Sequence, residues 1–541
     1  MEELTLPVWL TTAVVSGVLV HQVIFKRFEV DTHPVVIAVS FFSAPSFLAY
    51  ILRHYTVQYA TSSTITAWLL VATFTSSVWM SMLLYRGFFH PLSKFPGPLP
   101  ARFTKLWALT QAAKTHLKWY QVDAELHRKY GDFVRTGPRE LSIIDPQAIP
   151  LILGFSSKTF KGPFYDSMED SVSTTRDKIF HKQRRKVWDS SMKQLLTTYS
   201  PQLEEFTDTL LKRIKINLGK AITINELAVH YSFDVMTQLA YGQSEGFVDG
   251  SCSEAANKFL SGMKNGVDAI GLLNQVPWML TLLTTFAGLG GPMKAYNDWS
   301  NQALEDRKKR GMKAPDLMEQ LLQNTKQDRK GNSLLFAESR VIIGAGGDTT
   351  ATALSEIFIL LAHRPEYIKK IREEMDPIFA TSKYSCQAVY PVLESVINET
   401  LRLYPPVLFG SPRVTPPQGL QIGDKWIPGD MVVYMPSWQL HHDARNFVDP
   451  DDFVPERWTS KPEMILNRSA FLPFLIGPNN CPGRPLAMME LRSVIARTLN
   501  EFDVSFPLRF EFEEVKFFRN VKDHFLAGVP KQDLVFTARK S

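Results

Sequence analysis

The chain has 541 residues, 45% of them hydrophobic and 21% charged, which describes a globular protein with a large core and excludes a disordered one. Its net charge of +6, from 60 Lys and Arg against 54 Asp and Glu, is too small to point to nucleic acid, although a local basic face could dock an acidic partner. Three cysteines without paired spacing argue against a disulfide framework and a zinc site, and suggest a reducing compartment for the main domain.

Three apolar runs come first, at residues 4–24, 35–52 and 65–85. About 20 helical residues cross a bilayer core, so each is near spanning length. Glu2 and Glu3 precede the first run, and it is too long for a cleaved signal peptide. The middle run is the weakest, being short and interrupted by Pro45, so a single span or a re-entrant arrangement is the alternative to three. The positive-inside bias puts Lys26, Arg27, Arg86 and Lys94 on the cytosolic side, and an odd number of spans then leaves the rest of the chain in the cytosol. Pro91, Pro96, Pro98 and Pro100 mark residues 91–102 as a semi-rigid hinge between a membrane region (1–90) and the main domain (103–541).

That domain reads as mainly α. Helical spacing runs over 106–130, stopping at Gly131, then over 177–196, 202–215, 224–241 and 255–263. Residues 133–144 read as a hairpin turning at Thr136-Gly137-Pro138, and 420–434 as short strands punctuated by Gly423-Asp424 and Gly429-Asp430. No internal repeat is visible.

Four segments carry chemistry. Residues 336–363 form a long apolar helix holding Gly344, Gly346 and Gly347, each costing roughly 1 kcal/mol relative to alanine. Ile342, Ala345, Gly346 and Thr349 share one smooth face, suited either to close approach of a flat ligand or to tight packing on another helix. A second helix, 391–404, ends before Pro405-Pro406 and places Glu399 and Arg402 on one face; such pairs are usually surface pairs of little worth. Arg457, in the proline-ordered loop 449–458, could join the same carboxylate. Finally, FLPFLIGPNNCPGRPLA (471–487) puts Cys481 between a tight loop and a helix start, where free N–H groups and the helix dipole lower a thiol pKa. The plainer alternative is a loop cysteine without a role.

In order and spacing these segments resemble the cytochrome P-450 family of heme-thiolate monooxygenases. Ala345-Gly346-Gly347-Asp348-Thr349-Thr350 is similar to the family's oxygen-activation motif, Glu399-x-x-Arg402 to its Glu-x-x-Arg, and Pro455-Glu456-Arg457-Trp458 to its Pro-Glu-Arg-aromatic segment. Phe474-x-x-Gly477-x-x-x-Cys481-x-Gly483 resembles the signature around the iron ligand. The resemblance covers about Pro91 to the end, and the hinge and multi-span N-terminus look like fungal members that tailor secondary metabolites. It implies the P-450 fold, a large helical domain with small β-sheets, and heme b (iron protoporphyrin IX) with Cys481 as axial thiolate. Phe474 would pack beneath the porphyrin, while Gly477 and Gly483 would permit the loop's tight path. Asp348 and Thr349 would relay protons, and Glu399, Arg402 and Arg457 would form a buried network supporting the Cys loop. His181, Arg185 and Arg413 would meet the heme propionates; the plainer alternative for Arg184, Arg185 and Lys186 is a solvated basic face, and of the three only Arg185 has the right register. It further implies NADPH–cytochrome P-450 reductase as electron donor, with cytochrome b5 as an optional second, in the endoplasmic reticulum membrane. By the same resemblance the substrate pocket would draw on 160–172, 342–346, 407–411 and 525–529; the last three are mostly apolar, while the first, a loop, carries Lys161, Asp166, Glu169 and Asp170.

The chain departs from the pattern twice. Asn479 stands where many relatives carry Arg or His, which weakens one propionate contact or passes it to a neighbour. Pro482 has no N–H to give the sulfur, so the thiolate should be more electron-rich. The heme reduction potential is therefore expected to lie lower than in a Pro482→Ile variant; equal potentials in a redox titration would refute this. A heme-thiolate isomerase or dehydratase, or a non-catalytic heme protein, is the competing reading; the former often lose the acid–alcohol pair that Asp348-Thr349 keeps here.

Overall fold

The structure, a computed structural model, describes residues 5–28, 30–55, 61–286, 291–311 and 316–540. Glu2, Glu3 and the first residue of the expected first span lie outside them. Three N-terminal helices, Leu6–Phe25, Pro34–Tyr55 and Ser63–Phe89, are long and apolar enough to cross a membrane. Pro45 lies inside the second without ending it, so the weak middle run is a full-length helix. The first and third helices meet through small residues. A Cβ on Gly17 would lie 2.6 Å from the Phe74 carbonyl, and His21 Nδ1 is 2.7 Å from Ser81 Oγ. Val14, Phe41, Phe42 and Trp79 remain exposed, as lipid-facing side chains would be.

Residues 91–102 are not a free spacer. Leu92 and Phe95 are buried in a core shared with Phe133 and Leu141, and the Arg135 N–H donates to Pro96 O at 2.7 Å. The segment is packed against the hairpin that follows it.

The hairpin Phe133–Gly137 with Glu140–Ile143 forms as expected and starts a five-stranded sheet. Val432–Tyr434 adds in parallel, then Arg413–Val414 and Phe160–Lys161 add antiparallel. The single helix expected over 106–130 is two, Leu106–Lys114 and Trp119–Tyr130. His116 and Leu117 between them take φ of 52° and 66°, a break that no glycine or proline announces. The other helices fall where the apolar spacing put them, as Lys178–Thr198, Ser200–Ile216, Ile224–Tyr241 and Glu254–Leu273, the last extending ten residues beyond the C-terminal end of its pattern.

Two cores result. The larger surrounds the 35-residue helix Arg329–His363, which packs along Ile224–Tyr241 and against Arg484–Glu501. The smaller lies beneath the sheet, around Leu141, Val433, Leu440 and Leu472. The 471–483 loop bridges them: Leu472 is buried in the smaller core and Phe474 packs on the larger. The N-terminal end of the Cys481 loop is thereby fixed.

Candidate heme site

Cys481 is accessible, yet lies deep among protein atoms, so its opening is into the interior. Its N–H donates to Phe474 O at 2.8 Å, closing the loop. Burial pushes the thiol up; the Gly483 N–H, the Arg185 charge, the Arg484 N–H and the Arg484 charge pull it down. These are the donors and charges that favour a thiolate. Gly477 has φ +73°, and a Cβ there would lie 2.2 Å from Leu153 O, so the loop needs glycine at that position. The same reason does not hold for Gly483, whose φ is an ordinary −81° and whose Cβ would meet Sγ at 3.7 Å, van der Waals distance. The Arg484 guanidinium lies 5.6 Å from the Phe474 ring centre.

The loop's support is a buried charge network. Glu399, Arg402 and Arg457 are all 0% exposed. Glu399 accepts from Arg402 Nε (3.0 Å) and Nη2 (2.8 Å), Arg457 Nε (3.0 Å), Trp458 Nε1 (2.9 Å) and the Val454 N–H (2.9 Å). The surplus guanidinium donors go to carbonyls of His441, Pro450, Asp452, Val448 and Asp449. Such full satisfaction is what allows charges to stay buried. Sequence reasoning missed the member that connects this network to the loop. His441 Nδ1 donates to Arg402 O at 2.8 Å, while Nε2 accepts the Leu472 N–H at 2.9 Å. Burial, with the Arg402 and His442 charges, lowers its pKa to about 3, so the ring is neutral and holds that tautomer. Nothing in His441-His442-Asp443 marks one histidine as structural.

The central helix resolves its two readings by dividing them between its faces. A Cβ on Gly346 would lie 2.3 Å from Met236 Sδ, and one on Gly347 2.8 Å from the Phe233 ring. Those two glycines serve close packing on Ile224–Tyr241, so Gly346 does not belong to an open face as expected. Ala345 and Thr349 are left uncovered, and Thr349 Oγ1 donates to Ala345 O at 2.7 Å. Asp348 is close enough to buried Tyr296 for its charge to raise the phenol's pKa.

His181, Arg185 and Arg413 do come together, with a fourth basic side chain, Lys161. The strand pairing sets Lys161 directly opposite Arg413. Burial and the charges of Lys161, Arg185 and Arg413 push His181 down to about 4, and burial with Arg413 and Arg185 pushes Lys161 down to about 7. Arg185 also clasps the Cys loop, donating to Asn480 O (2.6 Å) and Asn480 Oδ1 (2.7 Å) and pairing with Asp189. Arg184, expected on a solvated face, is instead buried against Glu338, which also accepts from Trp188 Nε1 at 3.0 Å. Adjacent helical residues point about 100° apart, so one arginine faces the core and the next the loop.

Three of the four expected pocket segments meet at one narrow cleft of about 20 Å³, lined by Phe164, Phe409, Gly410 and Phe525 together with Tyr434 and Asp523. Phe164 and Phe525 stack with ring centres 5.3 Å apart. Two of the acids in the 160–172 loop are otherwise engaged, Asp166 with Arg176 and Glu169 with Arg340. The cleft is not wholly apolar, however, since Asp523 lines it and burial raises its pKa to about 7.

The comparisons agree with this geometry. The family model described as Cytochrome P450 matches residues 96–517. Among curated relatives, the "Cytochrome P450 monooxygenase notG'" of Aspergillus versicolor is 34% identical over 97% of each chain. The "Tryprostatin B 6-hydroxylase" of Aspergillus fumigatus is 34% identical over 87% of this chain and 85% of its own. The "Cytochrome P450 monooxygenase sthD" of Phaeosphaeria nodorum is 36% identical over 87% of this chain and 100% of its own. The chain belongs to the cytochrome P-450 family of heme-iron proteins, and these relatives place it among the family's monooxygenases.

Proposed function

We propose that the protein holds heme b through Cys481 and inserts one atom of O2 into an apolar small molecule, an intermediate of fungal secondary metabolism, with electrons from NADPH. The observation that carries this reading is the donor set: an inward-opening Cys481 with backbone N–H groups on its sulfur and two arginine charges near it, beside a cluster of basic side chains suited to two propionates. Bound there, heme iron would supply one-electron and O2 chemistry, and the Cys481 thiolate would hold it and donate electron density to it. The chain's own part is to position and protonate. His181, Arg185 and Arg413 orient the propionates, and Phe474 and Gly477 shape the face on the cysteine side. Thr349, on the uncovered side of the central helix, holds a hydroxyl that can pass on a proton, and Asp348 replenishes it. Glu399, Arg402 and Arg457 stay outside the chemistry and keep the loop in place.

Electrons are proposed to come from NADPH–cytochrome P-450 reductase, with cytochrome b5 as an additional donor, at the cytosolic face of the endoplasmic reticulum. The turn between the first two spans supports that orientation. It carries Lys26 and Arg27, and its Val30–Thr32 segment touches Pro163–Ser167 of the main domain, putting both on one side. The test is NADPH consumption by the full-length protein, which should require both reductase and substrate; product formed without reductase would indicate the isomerase class instead. In a Thr349→Ala variant NADPH use should persist while product per NADPH falls roughly 100-fold, the lower end of what a positioned proton-transfer group contributes. Unchanged coupling would remove Thr349 from the relay.

A further inference from the structure

Asp523 is 4% exposed and lines the narrow cleft together with Phe164, Phe409, Tyr434 and Phe525. One of its oxygens, Oδ1, accepts the Phe525 N–H at 3.1 Å. Among the described residues, Oδ2 has no hydrogen-bond partner and no basic side chain pairs with the group. Its neighbours in sequence, Lys522 and His524, turn instead to Asp268, at 2.9 and 2.7 Å. Buried charge is ordinarily paired, and Asp316, Glu338 and Glu399 each meet an arginine. Glu356 and Glu490 lack a cation too, but burial pushes both carboxyls far up and keeps them neutral. Asp523 differs because it borders a space. Burial raises it to about 7, the Phe525 N–H opposing the rise and the Asp123 charge adding to it, so a cation at Oδ2 would hold it ionised.

The surroundings suit such a cation. Aromatic rings line the cleft, and ring faces attract positive charge. Its volume of about 20 Å³ is room for one water-sized group, enough for a head group and not for a whole substrate. The strand pairing sets Asp523 opposite Ala527, whose carbonyl accepts from Thr352 Oγ1 at 3.3 Å. Thr352 lies about one helical turn beyond Thr349, so this hairpin links the cleft to the central helix.

We propose that Asp523 is a specificity-determining residue that selects substrates carrying a protonated nitrogen on an otherwise apolar frame: Oδ2 accepts from the nitrogen, the aromatic walls flank it, and the rest of the molecule extends along the hairpin toward the central helix. The proposal rests on the monooxygenase reading above and names the class of substrate. A neutral analogue leaves the buried carboxyl group unpaired, which is how such a site discriminates.

The test uses full-length, heme-loaded protein in detergent and two probes of one shape. Phenylbutylguanidine stays charged and, having no free lone pair, does not ligate iron; phenylbutylurea is its neutral counterpart. Affinities are read by calorimetry. Wild type should prefer the guanidine about tenfold or more, the worth of a hydrogen bond between charged groups. Asp523→Asn keeps the side chain's volume and its acceptor for the Phe525 N–H, and should bind the two probes about equally, with affinity for the urea unchanged. A preference that survives undiminished in Asp523→Asn would overturn the proposal. Wild type that binds both probes equally, or the urea more tightly, would overturn it without any variant and leave heme uptake, and so the monooxygenase reading, intact. A wild-type chain that takes up no heme would overturn both.

Discussion

A Cys481→Ser protein is expected to lose the red-shifted Soret band of its reduced carbonyl complex and all detectable monooxygenation. Serine keeps the loop's shape and its N–H donors but presents a neutral hydroxyl, which cannot replace a thiolate as an electron-donating ligand. The effect should be total because no other sulfur can take over. Cys386 is buried, 3.0 Å from Ser200 Oγ, and burial pushes its thiol up to about 11, so it stays protonated. Cys252 lies in the loop before Glu254–Leu273, packed against the main core. Cys252→Ser and Cys386→Ser should therefore keep the red-shifted band. Its survival in Cys481→Ser would overturn the assignment of the ligand.

Replacing Glu399 by glutamine is expected to prevent accumulation of folded, heme-loaded protein at ordinary growth temperature. The substitution keeps the side chain's volume but strands Arg402 and Arg457, both fully buried, without a counter-charge. Breaking a buried pair in this way costs about 3–5 kcal/mol, a large part of the roughly 5–15 kcal/mol that separates folded from unfolded chains. The Trp458 and Val454 N–H groups would lose a charged acceptor as well. The contrasting case is Glu373→Gln, which removes an exposed pairing with Lys369 worth about 1 kcal/mol at most. Heme content per protein and the denaturant midpoint of whatever protein accumulates measure both. Equal midpoints for the two variants would mean that the Glu399 network does not hold the loop.

What the sequence made legible depended on whether meaning lay in spacing or in contact. The helices at 178–198, 224–241 and 329–363 follow from apolar periodicity, and Cys481, Glu399, Arg402 and Arg457 from motif spacing. Gly346 could not be assigned, because a glycine needed for close approach looks the same whether a ligand or Met236 approaches it. Lys161 acquires its place from a two-residue strand pairing more than 250 positions away, which no local pattern encodes. Arg184 and Arg185 could not be told apart by composition, since their fates differ only through the helix turn between them. The break at His116–Leu117 was hidden because two ordinary residues adopt positive φ there.

His441, held between the Arg402 carbonyl and the Leu472 amide, ties the Cys481 loop to the Glu399 network through bonds that are all internal to the chain. The position of the sulfur is thereby set by the fold itself, through a single neutral imidazole.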